Sequence, residues 1–316
     1  YEAKVCINSF LNHFKPKAMI IIERALWPNL YYYTKRKDIP CLLLSGRISH
    51  RSVRRYKYAK RFFLSIYRGL NAISMQDSCS EDRLVTLGLK KSDFASRGNL
   101  KYSTDIIKDE VYQAMYEKRW QWLDIKKETF ILLGASTHAN EESLLMRILL
   151  KLQEAYPQIQ SKLILIPRDI TRAIDLEYQA RELSLPAVIE SNHSISTKAK
   201  VLIIDSYGKM LDYLAWANCA YIGGSWIEHG GHNPLEAIKM RTYAISGPHM
   251  SNFTQSWEDI TKRGVGKIIN SEAELYTCIE QQLLTTEATA EFKLLIDEGS
   301  TVLQNNLNLI AEHLGA

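Results

Sequence analysis

Within the twenty residues "YIGGSWIEHGGHNPLEAIKM", Tyr221–Met240, the chain gathers two glycine pairs, two histidines and two glutamates behind an apolar run. Gly223 and Gly224 allow close backbone approach and positive φ directly after a strand. Asn233 reads as a helix N-cap, Pro234 suits the first helical position, and Glu236 falls in the first turn. A helix tip beneath a glycine-rich loop is a place for an anion, phosphate above all. Glu236 also suits a second task, accepting hydrogen bonds from ribose hydroxyls. A plainer reading stands beside this one, because a tight turn followed by an ordinary helix start makes the same string. His229 and His232 flank the second glycine pair. No third ligand lies within sequence reach of them, so no metal site is expected.

These groups need elements to hold them. Strands are expected at 18–23, 40–46, 71–76 and 94–99, then at 129–136, 162–168, 187–191, 200–205, 219–225, 243–247 and 264–270. Most are near-continuous apolar runs, as in parallel strands covered on both faces. The stretch 140–156 places Leu144, Leu145, Ile148, Leu149 and Leu152 at helical spacing. Glu141 and Glu142 stand in its first turn, where the helix dipole favours acids. Alternation of strand and helix predicts a doubly wound α/β architecture. A polar helix over 107–128 separates the two series. Two Rossmann-like domains facing across a cleft are therefore expected, residues 1–110 and 111–316. Ligands in such sheets sit beyond the carboxyl ends of strands. The segments there are "THANEE", "PRD", "SYGK" and the glycine string, all polar and several bearing cations.

At 316 residues the chain is long enough for two cores. Its 5 cysteines are scattered and odd in number, with no CxxC spacing. That favours a reducing compartment over a disulfide framework or a zinc site. The net charge of +5 is too modest to imply nucleic acid by itself. Cations concentrate locally in "HRSVRRYKYAKRFF", 50–63, expected to form a basic, aromatic-interleaved helix. It suits an anionic membrane surface; a solvated helix face and an RNA contact are the other readings. No run approaches the roughly 20 apolar residues that span a bilayer. The chain opens on Tyr1 and reads as the middle of a domain, so a preceding segment is expected.

The string "GGSWIEHGGHNPLEAIKM…GPHMSNF" closely resembles the signature of Kdo transferases, bacterial enzymes of lipopolysaccharide assembly with the GT-B glycosyltransferase fold. "LWPN", "GRISHRS", "GNLKYS", "GASTHANEE", "PR" and "DSYGKM" follow in the family's order, so the resemblance runs nearly the whole length. It implies transfer of 3-deoxy-D-manno-octulosonic acid (Kdo) from CMP-Kdo to a lipid A precursor, at the cytoplasmic face of the inner membrane. The transfer would be inverting and metal-independent, with CMP-Kdo as donor substrate, no cofactor and no nucleic-acid partner.

Carried over residue by residue, the resemblance gives Pro167 and Arg168 to the nucleotide, and Gly208 with Tyr207 and Lys209 to a backbone approach. Asn233, Pro234, Leu235 and Glu236 would hold the phosphate and ribose side. A strand-end arginine is a fit phosphate partner on its own chemistry. Ser136, Thr137 and His138 would line the donor carboxylate or phosphate. Lys101 matches the lysine that stabilises the transition state, and Glu23 the outer acid of the family's Glu-Thr-Glu-x-Trp-Pro-Asn. Three departures stand out. The family's catalytic glutamate, in an N-terminal Gly-Glu motif, has no match here and is expected upstream. The inner acid of the tryptophan motif is Ala25, and Lys209 stands where an acid is usual. Two alternatives follow: a non-catalytic paralogue that keeps CMP and membrane binding, and a GT-B enzyme of another nucleotide sugar.

Overall fold

The computed structural model describes residues 3–23, 27–102, 109–118, 125, 128–192, 198–285 and 290–314. The chain divides into two compact units: Tyr1–Ile106 with Leu295–Ala316, and Ile107–Leu294.

In the first unit β1 (Met19–Ile22), β2 (Cys41–Gly46), β3 (Ala72–Met75) and β4 (Ala95–Ser96) form a parallel sheet in that order. The helices are α1 (Lys4–Phe14), α2 (Pro28–Lys35), α3 (His50–Tyr58), α4 (Lys60–Arg68) and α5 (Ser78–Leu87). All of β2 is buried, and successive side chains of a strand face opposite sides. Cys41 and Leu43 join Ile21, Ile73 and Met75 in one core, with Val53 of α3, Ile66 of α4 and Leu84 of α5. Leu42 and Leu44 face the other way and need a second cover. Leu309 and Ile310 supply it, from the C-terminal helix Ala290–Leu314. This corrects the expected boundaries. The division falls at Ile106–Ile107, and the residues from Leu295 onward return to the first unit instead of closing the second.

The second unit holds β5 (Phe130–Thr137), β6 (Ser161–Pro167), β7 (Ala187–Ile189), β8 (Val201–Ile203), β9 (Cys219–Ile222), β10 (Tyr243–Ser246) and β11 (Gly266–Ile268). All are parallel, in the order β11-β10-β9-β5-β6-β8-β7. Its helices are α6 (Asp109–Lys118), α7 (Glu141–Ala155), α8 (Ala173–Glu182), α9 (Met210–Leu214), α10 (Leu235–Lys239), α11 (Thr254–Lys262) and α12 (Glu272–Leu284). The apolar stripe of α7 is almost wholly buried against β5 and β6. Each of its five leucine and isoleucine side chains contributes about 1.5–3 kcal/mol of burial.

Every strand expected from the sequence is present, most trimmed by a residue or more. Two helices differ. The polar linker helix is α6, and most of its expected second half lies outside the described residues. The basic helix is two helices, because Ala59 (φ −122°, ψ 40°) breaks the chain between α3 and α4.

Candidate active site

The strand order of the second sheet sets where a ligand belongs. From β5 the chain moves outward through β6 to β7 at the edge, inserts β8 between them, then returns to build β9, β10 and β11 on the other side. The loops after β5 and β9 therefore leave adjacent strands in register, with Ala135 beside Ile222. Such a reversal is where open α/β sheets bind ligands. Gly223 makes the arrangement possible: a Cβ there would lie 2.3 Å from the Ser136 carbonyl oxygen and 2.6 Å from the Thr137 Cα.

A niche of about 120 Å³ opens at this point, lined among others by Ser136, Arg168, His232, Asn233 and Glu236. Four of the expected donor-site residues thus meet around one small space. Ser136 sits at φ +52°, a left-handed conformation unusual outside glycine. Arg168 follows β6, its backbone N–H donating to the Thr137 carbonyl at 2.9 Å, and its side chain is exposed. Asn233 Oδ1 accepts from the Leu235 N–H at 3.1 Å. The helix it introduces, α10, is only 5 residues long, beginning after Pro234. The expected anion-binding helix tip is thus a single turn with a weak dipole, and Arg168 is the stronger attraction for a phosphate.

The other expected residues stand differently. Pro167, Pro234 and Leu235 are buried and do not line the niche, and Thr137 is buried with its Oγ1 unpartnered. Tyr207 is 73% exposed. Gly208 has φ +84°. Lys209 Nζ lies 2.7 Å from Glu190 Oε1, a carboxylate only 5% exposed. Ser206 and Tyr213 also donate to Glu190. Burial alone would raise the Glu190 carboxyl, but hydrogen bonds from Lys209, Tyr213 and Ser206 outweigh it and hold it below its ordinary value. Lys209 therefore serves the loop's internal anchor, and Gly208 offers backbone. A larger pocket of about 510 Å³ in the same unit, around His249, Met250 and Trp257, contains none of these residues.

Two residues at the switch point carry more than the sequence assigned them. Glu141 is fully buried. Its Oε2 accepts from the N–H of His138 and of Gly224, each at 2.9 Å. Its Oε1 accepts from the N–H of Ser225 at 3.1 Å and Trp226 at 2.9 Å, and from the Tyr221 hydroxyl at 3.1 Å. One carboxylate thus ties the loop after β5 to the loop after β9. Glu142, 1% exposed, pairs through both oxygens with Arg172 at 2.7 and 3.2 Å. The acids of the first turn are read from sequence as dipole partners; the fold puts them inside, as anchors.

His138 is the second surprise. Its Nε2 lies 2.8 Å from His232 Nε2, the two rings parallel within 2°. His138, His229 and His232 bring one ring nitrogen each to within 4.8 Å of one another. No third histidine lies within sequence reach of His229 and His232, but the fold brings one to them from the end of β5, 91 residues before His229. Burial first, then the neighbouring imidazoles and Arg168, push His232 down to about 4. Burial likewise lowers His138, although Glu141 opposes it.

In the first unit, Glu23 follows β1 at φ +65° and is fixed by two backbone bonds: its N–H to Leu44 O at 3.1 Å, and Arg47 N–H to its own carbonyl at 3.0 Å. Ser45 Oγ, at the end of β2, accepts from the Leu100 N–H at 3.2 Å and draws in the segment after β4. Lys101 Nζ thereby comes to 2.6 Å from Glu23 Oε1, with the side chains 49% and 27% exposed. So exposed a pair adds little stability, about 0–1 kcal/mol. Its meaning is positional, since both sequence-expected catalytic residues of this unit stand together. Ala25 lies outside the described residues.

Two Rossmann-like units, one with its polar loops collected at a sheet reversal, define a chain of the GT-B type. Residues 1–104 match the family model described as 3-deoxy-D-manno-octulosonic-acid transferase (kdotransferase). The chain is similar to the 3-deoxy-D-manno-octulosonic acid transferase of Haemophilus influenzae, 28% identical over 98% of this chain and 72% of that one. It spans 72% of that relative and 47% of the bifunctional glycosyltransferase/methyltransferase of Fusobacterium nucleatum, to which it is 27% identical over 96% of this chain. In structure it resembles the C-terminal CMP-Kdo binding domain of WaaA from Acinetobacter baumannii, at TM-score 0.52 and 24% identity over 61% of this chain and 97% of that one. It also resembles UDP-GlcNAc 2-epimerase from Neisseria meningitidis, at TM-score 0.61 and 12% identity over 98% of this chain and 79% of that one. The resemblance to Kdo transferases thus runs over nearly the whole chain, at 28% identity to the Haemophilus influenzae protein.

Proposed function

We propose that this chain forms the greater part of an enzyme that transfers Kdo from CMP-Kdo to a lipid A precursor in lipopolysaccharide assembly. The observation that carries this reading is the meeting of Ser136, Arg168, Asn233 and Glu236 at the β5–β9 reversal. Arg168 is the phosphate partner and Glu236 accepts from ribose hydroxyls, while Ser136 faces the donor's anionic groups. In the reaction an acceptor hydroxyl bonds to the anomeric carbon as the bond to the CMP phosphate breaks, and the hydroxyl proton passes to a base. Lys101 stabilises the charge of that transition state, and Glu23 orients Lys101. Such a displacement inverts the anomeric centre, and the positive charge it needs at the leaving phosphate is available from protein cations.

The acceptor is a membrane lipid, which gives the basic segment a task. Arg51, Arg54, Arg55, Lys57, Lys60 and Arg61 of α3 and α4 are all exposed, beside Tyr58 at 92% and Phe62 at 50% exposure. Anionic headgroups at the cytoplasmic face of the inner membrane complement this surface. No helix among the described residues is long and apolar enough to cross a membrane. The test is transfer by the full-length protein from CMP-Kdo to a tetraacylated lipid A precursor. A Kdo-bearing product supports the reading. CMP binding without product favours the non-catalytic paralogue, and product only from a different nucleotide sugar favours the other alternative.

A further inference from the structure

The geometry points to a binding site for one divalent transition ion of the zinc, cobalt or nickel class at His138, His229 and His232. We propose that it clamps the loop after β9 against the end of β5, outside the chemistry of transfer. The three rings form a near-equilateral cluster, with centroids 4.7, 5.1 and 5.3 Å apart. Imidazole is the preferred ligand of these ions, and metal–nitrogen bonds of 2.0–2.1 Å set tetrahedral ligand nitrogens about 3.3 Å apart. His138 Nε2 and His232 Nε2, at 2.8 Å, would have to part by only about 0.5 Å to reach that spacing. A hydrogen bond between those two rings engages two of the three histidines; an ion engages all of them.

The scaffold is already built for it. Glu141 takes the N–H of His138 with one oxygen and, with the same oxygen, that of Gly224. His229 and His232 both pack on Gly224, where a Cβ would stand 3.1 Å from each ring. The loop is closed by Gly231 N–H on Gly224 O at 2.8 Å and His232 N–H on Gly223 O at 3.1 Å. Three ligands therefore come from two backbone segments that one buried carboxylate holds together. His229 is exposed, which leaves a fourth position for water, as in open three-histidine sites. His232 also lines the donor niche, so the ion would fix one wall of that niche.

The experiment is titration of the purified, untagged chain with Co2+, read by its visible absorption, and with Zn2+ by calorimetry. One equivalent should bind and give the intense bands of a four-coordinate ion, without the thiolate charge-transfer band that the exposed Cys6 and Cys79 would produce. His138→Ala, His229→Ala and His232→Ala should each weaken binding beyond the roughly 10–100-fold that outer-sphere changes cost. His249→Ala should leave it unchanged. The exposed His229 keeps the test clear of folding defects. Absence of stoichiometric binding, a thiolate band, or equal affinity in His229→Ala and the unaltered chain would overturn the proposal.

Discussion

At the scale of single residues, chemistry and support divide between different side chains. Arg168 and Glu236 line the niche, whereas Glu141 is fully buried and acts through four backbone N–H groups. Glu141→Ala should leave those donors unsatisfied, at about 1–3 kcal/mol each where they remain buried. Denaturant unfolding should show a loss of several kcal/mol, and Glu141→Gln a smaller one; a change within about 0.5 kcal/mol, the range of ordinary surface substitutions, would remove its anchoring role. Lys101→Ala should lower turnover far more than donor affinity, and equal losses in both would count against its role. His232 sets a pH dependence. Its neutral form is favoured on folding, so the unfolded chain takes up its proton first, near the ordinary 6.5, and the folded chain near about 4. Stability is full above that window and falls as pH drops from about 6.5 toward 4. Thermal unfolding of His232→Gln should show a flatter profile there, and an unchanged slope would assign the dependence elsewhere.

At the scale of elements, two features decide what the units can do. β2 is buried on both faces, so the C-terminal helix is structural for the first unit. Leu309→Ala should cost about 2–5 kcal/mol, the range for leucine deletions in packed cores; unfolding followed by a first-unit probe such as Trp27 fluorescence would measure it, and no loss would mean Leu42 and Leu44 find other cover. Residues 50–63 carry six exposed cations. Each cation near an anionic surface contributes about 1 kcal/mol. Replacing Arg54, Arg55, Lys57 and Arg61 with serine should abolish sedimentation with phosphatidylglycerol vesicles while CMP binding persists. Equal sedimentation with neutral phosphatidylcholine vesicles would exclude the electrostatic reading.

At the scale of the whole molecule, what could be read from sequence follows what is local. Strands such as "TFILLGAS" and "KLILIPR" announce themselves by continuous apolar runs, and both appear as β5 and β6. The niche residues stand where sequence directs attention, Ser136 near the end of β5 and Arg168, Asn233 and Glu236 in segments after strands. Long-range partnerships were not: the return of the C-terminal helix to the first sheet, the joining of His138 to His229 and His232, and the buried task of Glu141 depend on strand order, which no local pattern encodes. Ala59 interrupts the basic helix although alanine favours helices, so packing of Val53 and Ile66 into one core overrides propensity there. On the proposed function, the β5–β9 reversal is a pocket for cytidine monophosphate. Calorimetric titration of CMP into the unaltered chain, Arg168→Ala and Glu236→Ala tests it most directly. Saturable one-to-one binding should be weakened at least roughly tenfold by each substitution, as expected when about 1.5–3 kcal/mol of charge-assisted hydrogen bonding is lost; equal affinity in all three proteins would mean that the nucleotide does not bind there.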